Sequence, residues 1–178
     1  ELNIGYISVI LQIRLSKDII IERILGTEIY IMENFPENTE NIKERKKEAL
    51  KFMSEYGDGN LQKVIAIIEN NGEYSRIKEI LDLETDAINR RFDCSDFRMP
   101  ALIWLYQKYR SYFTEDDLKI IKESILNYRY WFDEPGNDVM WWFSENHALS
   151  FHVSELLAGE LFKEEVFPNS ELTGIQHM

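Results

Sequence analysis

DFRMPALIWLYQKYRSYFTEDDLKIIKESILNYRY, residues 96–130, is the stretch whose pattern decides the fold class. Leu102, Ile103, Leu105, Tyr106 and Tyr109 recur at helical spacing in its first arm, and Leu118, Ile121, Ile125 and Tyr128 do so in its second. Between the arms, Thr114-Glu115-Asp116-Asp117 supplies a capping hydroxyl and an acidic first turn, so a helix ends and another begins within a few residues. The segment predicts an antiparallel helical hairpin.

The same spacing extends on both sides. Leu61, Val64, Ile65, Ile67 and Ile68 form one stripe, ending at Asn70-Asn71-Gly72, and Ile77, Ile80, Leu81 and Ile88 form the next. Upstream, the charged run through Lys43, Arg45, Lys46 and Lys47 reads as an exposed helix stopped at Gly57-Asp58-Gly59. Downstream, Pro135-Gly136 marks a loop, a helix starts near Ser144 and runs to about Phe162, and Phe167-Pro168-Asn169-Ser170 breaks it. Ile4–Leu11 and Ile19–Ile21 are rich in β-branched residues, above all Ile, which suit a strand or a buried helix; the segment is expected to be helix. The fold class expected is therefore all-α, with paired helices of the kind found in bundles, solenoids and toroids.

Composition bounds the function. The 178 residues carry a net charge of −12, which opposes general capture of nucleic-acid phosphates or anionic membranes. Gly5, Gln12, Arg14, Lys17, Asp18 and Glu22 interrupt the apolar start, so no run approaches the ~20 residues of a membrane span. A lone cysteine, Cys94, forms no internal disulfide and reads as a buried structural thiol. The start at Glu1 and the helix-like opening at Thr173-Gly174-Ile175-Gln176-His177 read as a piece of a longer protein, and compartment is not legible.

All four tryptophans and all three histidines follow residue 100, and residues 140–155, MWWFSENHALSFHVSE, are the least like a generic helix. With Ser144 as cap, the N–H groups of Glu145, Asn146 and His147 face outward at a positive helix end, suited to a carboxylate or oxyanion. Asn146 offers an amide and His147 a proton acceptor. Trp141 and Trp142, with Trp131 nearby, offer flat apolar faces suited to a sugar. His152 lies about 140° from His147 around a helix, so the two do not converge on a metal, and His152 pairs better with Glu155 in a structural role. No metal or other cofactor is expected, and no phosphate loop or nucleophile elbow is present to support phosphoryl transfer or serine hydrolysis.

Four stretches together resemble large bacterial proteins of the six-hairpin (α/α) toroid class: DCSDFRMPA at 93–101, WWFSENHALSFH at 141–152, ELLAGELF at 155–162 and FPNSELTG at 167–174. The resemblance covers residues 93–178 and leaves 1–92 as an N-terminal helical region of unassigned role. It implies part of an incomplete toroid, a class shared with glycoside hydrolases and with alginate-lyase and heparinase-type polysaccharide lyases. In such lyases an Asn beside a His neutralises a uronate carboxylate while the His or a Tyr removes the C5 proton. By that likeness Asn146 would hold the uronate, His147 would be the base, and Tyr128 or Tyr130 the leaving-group acid. Glu145 departs from the pattern, since an acid there suits a neutral sugar. The alternative is a glycoside hydrolase with Glu145 as one carboxylate and Glu155, Asp138 or a residue beyond this stretch as the other. A third reading is a non-catalytic helical binding or scaffold module. A poly- or oligosaccharide is the partner expected, and an incomplete toroid would expose apolar faces that favour self-association.

Overall fold

The computed structural model describes residues 3–16, 19–31, 39–136 and 140–178. Two compact units divide the chain, 1–43 and 44–178. The first corrects the expectation for the N-terminal segment: it holds two antiparallel strands, β1 (Asn3–Ser16) and β2 (Ile19–Ile31), paired from Asn3↔Ile31 to Ser16↔Ile19 with an irregularity between Arg14 and Ser16. The β-branched residues prevail, and Ile7, Val9, Leu11 and Ile13 alternate with Ser8, Gln12 and Arg14, interrupted by Ile10, a pattern compatible with a strand.

The remainder is predominantly helical. Its elements are α1 (Thr39–Tyr56), α2 (Leu61–Glu69), α3 (Tyr74–Asn89), a 3₁₀ turn at Ser95–Phe97, α4 (Met99–Lys108), a second 3₁₀ turn at Arg110–Tyr112, α5 (Glu115–Leu126), α6 (Glu145–Leu161), the two-residue strands β3 (Val166–Phe167) and β4 (Leu172–Thr173), and α7 (Gly174–His177). Starts are fixed locally. Asn60 caps α2 by accepting from the Lys63 N–H at 3.0 Å, and Thr114 and Asp117 cap α5 reciprocally in a capping box. Asp117 is buried; burial pushes its carboxyl up, but bonds from Thr114 and Tyr74 outweigh this and hold it below the ordinary value.

Helix α4 lies at the centre, packed against α2, α5 and α6, while α2 packs on α3 and α3 on α5. Leu61, Ile67, Leu81 and Ile88 share one core with Met99, Leu102, Leu105, Ile121, Ile125, Tyr128 and Phe151. Residues on either side of position 92 thus contribute to a single interior. An ion pair between Arg98 and the buried Glu84 joins the 3₁₀ turn to α3. Cys94 is exposed rather than buried. It sits in the left-handed conformation (φ 63°) just before the 3₁₀ turn, a bend that holds its side chain outside the core. Partial desolvation, with Asp93 and Asp96 nearby, pushes its thiol up and away from thiolate chemistry. Among the described residues no helix is long and apolar enough to cross a membrane.

Candidate functional site

The first site lies at the start of α6. Ser144 Oγ accepts from the His147 N–H at 3.4 Å and donates to Asn146 Oδ1 at 2.6 Å, so the cap ties both residues to one hydroxyl. His147 then turns inward. Its Nδ1 lies 3.0 Å from Oδ2 of Asp96, which is fully buried, and the Phe97 ring stands 4.6 Å away. Burial pushes the Asp96 carboxyl up, and the charge and hydrogen bond of His147 oppose that rise. Asp96 Oδ1 is buried with no hydrogen-bond partner.

Tyr128 reaches the same 3₁₀ turn from the other side. Its hydroxyl lies 2.8 Å from Ser95 Oγ, and burial raises it well above the ordinary phenol range, so it holds its proton. Tyr130 is also fully buried, its hydroxyl donating to the Ile125 carbonyl at 2.9 Å. Asn146 and Glu145 are exposed on the first turn of α6. Of the tryptophans, Trp141 is exposed, whereas Trp142 is buried, with Phe151 stacked on it at 4.3 Å and the Arg129 guanidinium 5.0 Å from its ring centre. Sequence patterning missed Asp96 as the partner of His147, because 51 residues separate them.

The second site is an open cleft of about 410 Å³ walled by Trp131, Asp133, Glu134, His152, Glu155, Asn169, Ser170 and His177. Trp131 stands against the exposed His152, ring centres 4.3 Å apart, and His152 Nδ1 is 3.4 Å from Glu155 Oε2. Glu155 Oε1 lies 2.7 Å from His177 Nδ1, and His177 Nε2 lies 2.7 Å from Ser170 Oγ. The turn that carries Ser170 is tied to the end of α5, since Asn169 donates to the carbonyls of Asn127 (2.7 Å) and Tyr128 (3.0 Å).

Two glycines make the cleft possible. A Cβ on Gly159 of α6 would stand 2.6 Å from the Gly174 carbonyl of α7, closer than real contacts allow. The backbones therefore touch there. Glu155 is four residues before Gly159 and His177 three after Gly174, so each lies one turn from the contact and they meet. That glycine pairing is the sequence signal for the approach of His177 to Glu155.

Burial raises the Glu134 carboxyl from 4.5 to about 7, against a bond from the Tyr130 N–H and the nearby His177, with Glu155 and Asp133 adding to the rise. The folded chain therefore holds a proton that the unfolded chain releases above about pH 4.5, and its stability falls between there and about pH 7. Glu134→Gln is expected to remove roughly 2–3 kcal/mol of that decline, read as a flatter plot of urea midpoint against pH. Equal slopes for both proteins would contradict it.

No family model matches the chain, and no curated protein or solved structure matches it either.

Proposed function

We propose that this chain belongs to a carbohydrate-active (α/α) toroid protein with polysaccharide lyase-like chemistry at the start of α6. The paired helices α2–α3 and α4–α5, joined by short turns, support the toroid part. The observation that carries the chemistry is the bond of 3.0 Å between His147 Nδ1 and the buried Asp96. With its Nδ1–H given to that carboxylate, the imidazole keeps a lone pair on Nε2 and a fixed orientation, the state a proton-abstracting base requires. Asn146 at the exposed helix start suits neutralisation of a uronate carboxylate, whereas Tyr128, buried beside Ser95 and holding its proton tightly, does not suit the leaving-group acid.

The hydrolase pair Glu145 and Glu155 is disfavoured by spacing. Both lie on α6 ten residues apart, a rise of about 15 Å, where hydrolases hold their carboxyls within about 5–9.5 Å. Asp138, the other partner considered, lies outside the described residues.

A panel of uronate and neutral polysaccharides, read by ultraviolet absorbance of unsaturated ends and by reducing ends, tests the reading. Absorbing product from the wild type that vanishes with His147→Ala is the expected result. Reducing ends without absorbance would mean hydrolysis. With both proteins folded, absence of product on every polysaccharide would replace the lyase with a binding module.

A further inference from the structure

Three side chains on the cleft wall form one continuous relay. Ser170 Oγ to His177 Nε2 and His177 Nδ1 to Glu155 Oε1 are each 2.7 Å, within the limits for a nucleophile with its base and for a base with its orienting acid. We propose that Ser170, His177 and Glu155 are a nucleophilic triad that cleaves acyl esters, with O-acylated sugars as substrates. The triad rests on this geometry alone; the sugar half rests on the carbohydrate reading above.

The surroundings of each group fit the role. The His177 side chain is only 1% exposed, with Phe167 at 4.6 Å and Tyr130 at 6.2 Å from its ring, so protein rather than water encloses the base. Both imidazole nitrogens are engaged, an arrangement compatible with Nδ1–H donated to Glu155 and a lone pair on Nε2 for the Ser170 proton, which is the tautomer the triad uses. Ser170 sits on the tight turn between β3 and β4, before Glu171 with φ 59°, and the Leu172 N–H donates to its Oγ at 3.2 Å. That donor steadies the oxygen as it loses its proton. A longer contact of 3.4 Å to the Phe167 carbonyl is the other course open to the hydroxyl.

In the reaction, Oγ attacks the ester carbonyl carbon as its proton passes to Nε2. The tetrahedral oxyanion collapses, the bond to the sugar oxygen breaks, and that oxygen leaves with the proton from His177. Water then attacks the acyl-serine, gives its proton to His177, and releases the carboxylic acid while Ser170 regains its hydrogen. Glu155 takes no proton; it is a positioning residue that steadies the transient imidazolium. His152 and Glu134 line the same cleft, and Trp131 offers an aromatic edge to the sugar. Asp133 and Glu155 repel a uronate, so this cleft favours neutral acylated sugars over the anionic substrate assigned to His147.

The test treats the full chain with a fluorophosphonate, which phosphonylates activated serines, and locates the adduct by intact mass and peptide mapping. Turnover of p-nitrophenyl acetate and acetate release from acetylated xylan are measured alongside. One adduct at Ser170 is expected, absent in Ser170→Ala and unchanged in a control at the exposed Ser75, Ser75→Ala. His177→Ala and Glu155→Gln should each slow labelling and ester turnover by about 10²- to 10⁴-fold. Should His177→Ala fail to fold, Ser170→Cys in a Cys94→Ser background supplies the second readout, its thiol alkylated faster than that of the unfolded chain at the same pH. A folded wild type without an adduct on Ser170, or labelling indifferent to His177 and Glu155, overturns the triad. Turnover of the small ester without acetate release from xylan overturns the sugar half only, and a lack of polysaccharide cleavage bears on His147 and not on Ser170.

Discussion

Gly174→Ala is expected to lower the stability of the chain by about 3 kcal/mol or more and to separate His177 from Glu155. A methyl group at this position would stand 2.6 Å from the Gly159 carbonyl oxygen and closer still to that of Phe162. Both obstacles are backbone, which cannot swing aside as a side chain does, so α7 must move off α6 or α6 must bend. The displacement also strains the bonds from the Gly174 N–H to the Glu165 carbonyl (3.0 Å) and from the Ile175 N–H to that of Lys163 (3.1 Å). Urea unfolding followed by tryptophan fluorescence measures the loss, and Ser170 labelling should fall with it. A midpoint within error of the wild type would show that the helices are not held at this distance in solution.

Phe151→Ala is expected to cost about 3–5 kcal/mol. The ring is fully buried, stacked at 4.3 Å on Trp142 and at 6.2 Å on Tyr128, with the edge of Trp131 at 6.3 Å. Truncation leaves a void among large aromatic rings that cannot collapse to fill it, so the cavity cost adds to the lost burial. Phe151→Leu, which restores most of the volume, should recover well over half of the loss. Trp141→Ala, at a residue 61% exposed, should leave the urea midpoint almost unchanged. Equal destabilisation at positions 141 and 151 would contradict the placement of the core.

What the sequence discloses follows the range of the interactions. The turn at Thr114–Asp117 and the cap at Ser144 are read correctly because every partner lies within three residues. The strand pair at 3–31 is misread because its β-branched, isoleucine-rich run serves a buried helix or a strand equally well, so residue type alone leaves the choice open. Cys94 reads as a core residue by type, whereas in the left-handed bend before the 3₁₀ turn it is exposed. Asp96 with His147 and Glu155 with His177 are beyond reach for another reason: a carboxylate finds its histidine only once helices have packed. Only the small residues Gly159 and Gly174, which permit one backbone to rest on another, leave a trace of that packing in the sequence.

The two histidine–carboxylate contacts also differ in how much chain each must close. Asp96 and His147 join across 51 residues and Glu155 and His177 across 22, so the longer loop carries about 0.7 kcal/mol more closure entropy. The shorter closure involves only the C-terminal end of α6, the β3–β4 turn and α7, and the turn with α7 is able to open and reclose locally while α2 to α5 and the Phe151 turn of α6 stay folded. Hydrogen exchange should then divide this half of the molecule. The Gly174 and Ile175 amides would exchange through that local opening, and the Leu102 amide only through global unfolding.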